Sequence, residues 1–201
     1  MTEIKAPKPF PSAERPWIFL AGSIEMGTAE MWQRRITGLL SARTGTILNP
    51  RRDDWDATWD QSSQNTKFRE QVEWELFAME ECDKILMYFS PGTKSPITLL
   101  ELGLFAHDPK LVVCCPQGYW RKGNVDIVCR RYGVKQVETL EELVMETTAN
   151  MTTLSTAIRA VTLALLVSLT CLTLQIGFLL NRTASDMGYA IQTLHGAALG
   201  I

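Results

Sequence analysis

Short apolar runs alternate along this chain with longer stretches in which apolar residues recur every three to four positions. Trp17-Ile18-Phe19-Leu20-Ala21-Gly22 reads as a buried strand ending in a Gly-Ser turn. Ala29 to Arg43 follows, with Met31, Ile36, Leu39 and Leu40 at helical spacing. Thr46 to Pro50 predicts a second strand, stopped by the proline. Asn65 to Glu81 predicts a strong helix with Phe68, Val72, Leu76 and Met79 on one face. The pattern then gives a strand over Asp83–Ser90, a helix over Ser95–His107 and a strand over Leu111–Pro116. A short helix over Asn124–Arg131, a strand over Val134–Val137 and a helix over Leu140–Thr148 complete it.

Strands alternating with helices imply βαβ units and a parallel sheet covered on both faces. The expectation is an α/β fold: a flavodoxin-like or Rossmann-like three-layer sandwich with a five-stranded parallel sheet. Residues 1–16, with Pro7, Pro9 and Pro11, read as an irregular lead-in, and 17–149 as the folded domain. Residues 150–201 differ in kind. From Ala160 to Leu180 there are 21 residues without a charge, flanked by Arg159 and Arg182. As a helix they would reach roughly 30 Å, the thickness of a bilayer core. The expected tail is therefore a transmembrane helix over 160–180, with a buried or oligomer-forming helix as the alternative. A span there would tether the domain to a membrane on its cytoplasmic side.

Charge narrows the partners. The first 150 residues carry 18 basic and 21 acidic side chains, which does not suit a nucleic-acid binder. The five cysteines are odd in number and lack C-x-x-C spacing, so a reduced domain without a zinc site is expected. No cofactor and no metal is indicated.

In a doubly wound sheet, ligands bind beyond the carboxyl ends of the strands. The loops after Leu20, Leu48, Phe89 and Cys115 are the ones to watch, and they hold most of the unusual polar residues. Gly22-Ser23 and Thr93-Lys94-Ser95 lie at strand-to-helix turns whose N–H groups can hold an anion. Ser95 suits an N-cap, followed by Pro96 at the first helical position. Glu101 then falls about two turns into an apolar helix. It is either a partnered structural carboxylate or a nucleophile for an electrophilic carbon. Asp83 is either a polar strand-initiating residue or a second carboxylate that exchanges a proton with a leaving group. A strand's first residue lies at the edge opposite the site, which weighs against the second role. The loop Asn49-Pro50-Arg51-Arg52-Asp53-Asp54-Trp55 is either a solvated loop or a substrate loop. In the latter, Arg51, Asp53 and Asp54 would meet sugar hydroxyls or phosphate, and Trp55 would stack on a base.

Several segments together resemble the nucleoside 2-deoxyribosyltransferase-like family. They are Ile18 to Ile24, Asn49 to Trp55, Gln71-Val72-Glu73-Trp74-Glu75, Ser95 to Gly103 and Tyr119 to Val125, spread over residues 17 to 137. The resemblance implies a flavodoxin-like homo-oligomer whose sites are completed by a neighbouring subunit. It implies that Glu101, in the Glu-Leu-Gly motif, attacks the anomeric carbon of a 2-deoxynucleoside. The base departs, and a free nucleobase takes the deoxyribosyl group with retention. Asp83 matches an acidic residue that contributes to the base site, and Asn124 falls in the last matching segment. Two positions depart from the family pattern: Ser95 stands where typical members have an aspartate, and Phe19 where they have a tyrosine. Related enzymes use the same glutamate to release the base of a deoxynucleoside 5′-monophosphate to water. For them Ser23, Ser95 and the arginines would contact phosphate. A membrane-tethered nucleotide sensor without turnover is the reading from another class.

Overall fold

The structure, a computed structural model, describes residues 1–25, 29–149, 161–173, 175–176 and 187. The chain divides into two units, Met1–Asn150 and Met151–Ile201.

The first unit is an α/β sandwich around one parallel sheet of six strands. In chain order these are β1 (Thr2–Lys5), β2 (Trp17–Gly22), β3 (Thr46–Asn49), β4 (Lys84–Tyr88), β5 (Leu111–Cys114) and β6 (Lys135–Val137). Their order across the sheet is β1-β3-β2-β4-β5-β6, every pair parallel. The helices are α1 (Trp32–Leu39), α2 (Thr66–Glu81), α3 (Pro96–Phe105) and α4 (Lys122–Tyr132), with α5 over residues 140–149.

Side chains alternate between two layers along each strand. Phe19, Ala21, Leu48, Ile85, Met87 and Val113 join one core with Trp74 and Ala78 of α2, Leu102 of α3 and Val125 of α4. The strand residues between them, such as Ile18, Leu20, Ile47 and Leu86, are fully buried and face the other way. There Tyr88 meets Trp32 of α1, ring centroids 5.4 Å apart, and Arg35 of α1 pairs with Glu141 of α5 at 2.6 Å. Strands buried on both faces read as unbroken apolar runs, as parallel interior strands do.

The sixth strand lies in the stretch expected to be irregular. Thr2–Lys5 adds to the sheet edge in register with Thr46–Asn49. The rest of the lead-in is anchored by Phe10, which is buried and packs on Trp17 and Trp74 at 5.1 and 5.5 Å. Trp74 Nε1 and Trp17 Nε1 donate to the Lys8 and Ala13 carbonyls. The prolines interrupt regular structure without detaching the segment.

The face of α2 also differs from expectation. Asn65 caps the helix through Oδ1, which accepts from Lys67 N and Phe68 N. The buried residues, however, are Gln71, Trp74, Ala78 and Met79, while Leu76 and Phe77 are exposed. The helix is rotated from its most apolar register, and two polar residues, Gln71 and Glu75, are drawn inward.

In the second unit, residues 161–173 are helical and their large apolar side chains, such as Leu165 and Leu166, are exposed. Among the described residues no helix is long and apolar enough to cross a membrane. The transmembrane expectation over 160–180 thus has no support in the described residues. At about 1.5 Å per residue, the described turn-on-turn stretch falls short of a bilayer core. Ala160, Leu174 and residues 177–180 lie outside the described residues, as do Arg182 and His195.

Gly22 ends β2 with φ +147°, and a Cβ there would sit 2.4 Å from the Tyr88 carbonyl oxygen and 2.9 Å from Trp32 Cζ2. The position serves close packing of β2 on β4 and α1. Gly22→Ala is expected to destabilise the first unit by about 2–4 kcal/mol, through strain and overpacking. Urea unfolding checks this, and a loss below about 0.5 kcal/mol would contradict it.

Candidate functional site

The carboxyl ends of β2 and β4 run into two turns that hold each other. Ser23 N donates to the Tyr88 carbonyl at 3.0 Å, and Ser90 N donates to Ser23 Oγ at 2.9 Å. Ser23 Oγ lies 2.9 Å from Thr93 Oγ1 and 2.5 Å from Ser95 Oγ. Thr93 Oγ1 and Ser95 Oγ are 2.8 Å apart, and Thr93 donates to the Ser90 carbonyl at 2.8 Å. This closed triangle of buried hydroxyls locks the β4–α3 turn against the β2–α1 turn.

Ser95 does occupy the N-cap of α3, but in a left-handed conformation, φ 49°, and its side chain makes no capping bond. The capping carboxylate comes from Glu25, whose Oε1 accepts from Ser95 N at 2.7 Å and from Lys94 N. Glu25 also has positive φ, at 44°. The turn N–H groups that could hold an external anion are thus taken by a side chain of the protein. A cavity of about 410 Å³ opens beside this turn, lined by residues that include Glu25, Glu30, Tyr88 and Ser90. Tyr88 Oη donates to Glu30 Oε1 at 2.5 Å. Burial is the first cause that pushes its pKa up, and the Glu30 carboxylate adds to it.

Two turns into α3, Glu101 is 8% exposed. Its pKa is pushed up to about 8, first by burial and then by the Glu75 carboxylate of α2. Glu75 is itself pushed up to about 7 by burial, held back by a hydrogen bond from Gln71. Gln71 Nε2 makes that bond to Glu75 Oε1 at 2.7 Å and a second to the Pro50 carbonyl at 2.8 Å. Both carboxyls are raised, so near neutral pH the pair retains protons that ordinary carboxylates have lost. One ionised carboxylate beside one protonated carboxyl is the arrangement that nucleophilic attack with acid assistance requires.

Asp83 lies elsewhere. It directly precedes β4 at the amino edge of the sheet, where Oδ2 accepts from Trp17 N at 2.7 Å and Oδ1 from Arg15 Nη1 at 2.8 Å. Asp83 N donates back to the Trp17 carbonyl at 2.9 Å. It clamps the starts of β2 and β4, and Glu75 holds the place beside Glu101 that Asp83 was expected to hold. Gln71 and Glu75, four residues apart on α2, lie outside the face that apolar periodicity alone gives that helix.

The β3–α2 loop is tied down by its own charges. Arg52 is buried and grips Asp54 through Nε and Nη2 at 2.7 and 3.0 Å, and reaches Glu70 at 3.6 Å. The Arg52 hydrogen bond holds the Asp54 carboxyl below its usual range. Asp53 pairs with Lys5 of β1. Both aspartates therefore support loop shape. Arg51 N donates to Asn49 Oδ1 at 3.0 Å, and half-buried Trp55 packs on Trp59 at 5.2 Å. Asn124 is exposed in the first turn of α4. Just before it, Tyr119 Oη and Trp120 Nε1 both donate to the Lys94 carbonyl, at 2.9 and 3.1 Å. The β5–α4 loop thus braces the β4–α3 turn.

The four cysteines of the first unit are buried. Burial pushes Cys82, Cys114 and Cys115 up to about 12 and Cys129 to about 11, so none is a thiolate near neutral pH. Among the described residues no group of three or more His, Cys, Asp or Glu is placed to hold a metal ion.

A family model described as nucleoside 2-deoxyribosyltransferase like matches residues 15–119. That span runs from Arg15, ahead of β2, through α3 and β5 to Tyr119. No curated protein matches the chain. The chain belongs to the nucleoside 2-deoxyribosyltransferase-like family.

Proposed function

From that membership and the Glu75–Glu101 pair, we propose that the protein moves a 2-deoxyribosyl group between nucleobases through a covalent ester on Glu101. The observation that carries the reading is the carboxyl of Glu101 buried in α3, its proton held first by that burial and then by a second carboxyl, Glu75 of α2. An ionised Glu101 oxygen attacks C1′ of the deoxynucleoside. The C1′–N bond breaks, its electron pair stays on the base nitrogen, and the proton carried by Glu75 passes to the base. The product is a glycosyl ester and a neutral base. A second base then attacks C1′, Glu101 leaves as carboxylate, and Glu75 recovers a proton from the incoming nitrogen. Two inversions give net retention.

Substrate without a 5′-phosphate is favoured over a nucleoside monophosphate. Glu25 fills the N–H groups at Lys94 and Ser95, and Glu25 and Glu30 both line the adjoining cavity. Carboxylates there would repel a phosphate. Arg51, Trp55 and Asn124 are proposed to line the substrate's approach from the loops after β3 and β5.

The site is proposed to work in an oligomer. Ile97, Leu100 and Leu104 form one stripe of α3 and are 59, 60 and 56% exposed, on the same helix that carries Glu101. An apolar stripe of this kind suits a second copy of the chain. Leu100→Glu is expected to convert an oligomer to monomers in sedimentation and to lower base exchange. An unchanged sedimentation coefficient would contradict this use of α3.

Incubation with one deoxynucleoside and a different free base tests the reaction itself. The expected result is a new deoxynucleoside and the displaced base in equal amounts. Free base released at the same rate without an acceptor would mean transfer to water instead.

A further inference from the structure

Helix α2 buries one polar side chain and leaves half of it unused. Gln71 is 4% exposed. Its Nε2 spends both hydrogens inside the protein, on the Pro50 carbonyl at 2.8 Å and on Glu75 Oε1 at 2.7 Å. The atom facing Pro50 must be nitrogen, because a carbonyl oxygen only accepts. The amide orientation is therefore fixed, and Oε1 is left buried without a hydrogen-bond partner. Native proteins meet nearly all such acceptors, with a protein group, an ordered water or a bound ligand as the donor.

Resting on the reading of the site as deoxyribosyl transfer, we propose that Gln71 orients the nucleobase. Its Oε1 accepts a hydrogen bond from an N–H on the base edge while its Nε2 holds Glu75. Three placements favour the base over the sugar. Gln71 lies one helical turn, about 5.4 Å, before the carboxyl that protonates the departing base. That is the reach from a purine's glycosidic side towards the far edge of its six-membered ring. Gln71 also rests on Pro50, at the root of the loop that carries Trp55, and Arg52 of the same loop reaches the neighbouring Glu70. With both amide hydrogens spent, the side chain presents only an acceptor. It therefore reads donors: the amino group of adenine or the ring N–H of hypoxanthine. Unsubstituted purine, once attached to the sugar, offers neither.

The same amide sets which oxygen of Glu75 can hold the shared proton. Oε1 accepts from Gln71, so the proton resides on Oε2 or on Glu101. Seating the base on Gln71 and delivering a proton to it are thus one arrangement, and Gln71 acts on the chemistry through Glu75 as a positioning residue.

The test compares full-length wild type with Gln71→Met, a substitution that keeps side-chain length and removes both hydrogen-bonding groups. The substrates are 2′-deoxyadenosine, 2′-deoxyinosine and purine 2′-deoxyriboside, with 2′,3′-dideoxyadenosine as the sugar control. Wild type is expected to favour the two donor-bearing bases over unsubstituted purine by about tenfold or more in kcat/KM. The methionine variant should bring that ratio to within about twofold. Its preference for the 3′-hydroxyl should stay as in wild type. A variant that keeps the wild-type base ratio overturns the proposal. So does one that loses discrimination against the dideoxy sugar instead, or one that changes only the pH profile. If Gln71→Met fails to fold, wild type decides: equal handling of deoxyadenosine and purine deoxyriboside overturns the proposal. Absence of exchange by wild type on every substrate overturns the transfer reading and this inference together, whereas an active wild type that does not discriminate between these bases overturns this inference alone.

Discussion

Glu101→Gln is expected to lower base exchange by about 10³-fold or more, and to make the protein more stable at alkaline pH. The two effects share one cause. Glu101 supplies the oxygen that bonds to C1′, and an amide of the same shape cannot form that ester, so losses typical of a removed nucleophile follow. The same carboxyl is raised from 4.5 to about 8 in the folded chain. Folded protein therefore binds this proton more readily than unfolded protein does. Its contribution is fully present below pH 4.5 and is lost as pH climbs through about 8. Above that, an ionised carboxylate lies buried next to Glu75. A shift of this size corresponds to a few kcal/mol, and glutamine escapes it. Thermal melts should show Glu101→Gln close to wild type near pH 4 and clearly above it near pH 9. Equal melts at both values would mean that Glu101 is not buried beside a second charge. Undiminished exchange would remove it from the mechanism.

Glu75→Gln is expected to cost about 10²–10³-fold in exchange of ordinary bases and to change the form of the pH profile. Wild type needs one proton on the pair and one oxygen free of it. Its kcat/KM should follow a bell centred between about 7 and about 8, where the pair is singly protonated, the working form being the minority in which Glu75 rather than Glu101 holds the proton. Below that window both carboxyls are protonated and no nucleophile remains. Above it both are ionised and no acid remains. With glutamine at position 75, Glu101 titrates alone and its pKa falls, because the repulsion from Glu75 is gone. The residual activity should then follow a single ascending limb, displaced to lower pH, with no alkaline decline. A donor whose base already carries positive charge, such as 7-methyl-2′-deoxyguanosine, leaves without a proton. It should recover most of the lost rate. If that donor is impaired as severely as deoxyadenosine, Glu75 is not the acid.

The alternation of apolar runs and amphipathic stretches was enough to read the strands from Trp17 to Val137 and the helices between them, because a parallel sheet covered on both faces demands that pattern. The first strand was hidden. Thr2–Lys5 is short, lies at the sheet edge and is followed by prolines, so nothing in its own sequence separates it from a loop. What commits it to the sheet is the open edge of β3 and the anchoring of Phe10 between Trp17 and Trp74. The site was legible to a similar depth. Glu101 stood out as a carboxylate on an apolar helix, and the structure buries it. Ser95 read as a cap by residue type, yet its hydroxyl turns to Ser23 and Thr93, and Glu25 caps instead. That substitution joins residues 70 positions apart, which local sequence cannot show.

Helix α2 departs furthest from its apolar pattern. Apolar positions place Phe68, Val72, Leu76 and Met79 inward, but of these only Met79 is fully buried, and the helix also buries Gln71 and draws in Glu75. Patterns of this kind assume that burial follows hydrophobicity, and they fail where a helix turns polar groups inward. Asp83 shows the converse. By sequence match it reads as functional, but its carboxylate accepts from Arg15 and from the Trp17 N–H at the amino edge of the sheet.

The central claim is a covalent bond between Glu101 and the sugar, and mass spectrometry addresses it most directly. Wild type is mixed with a deoxynucleoside in the absence of acceptor base, quenched rapidly in acid, digested, and the peptide containing Glu101 is sequenced by fragmentation. The account predicts a deoxyribosyl adduct on Glu101 that disappears when acceptor base is added before the quench. It also predicts no adduct in Glu101→Gln. An adduct on any other residue, or base exchange without an adduct on Glu101, would contradict it.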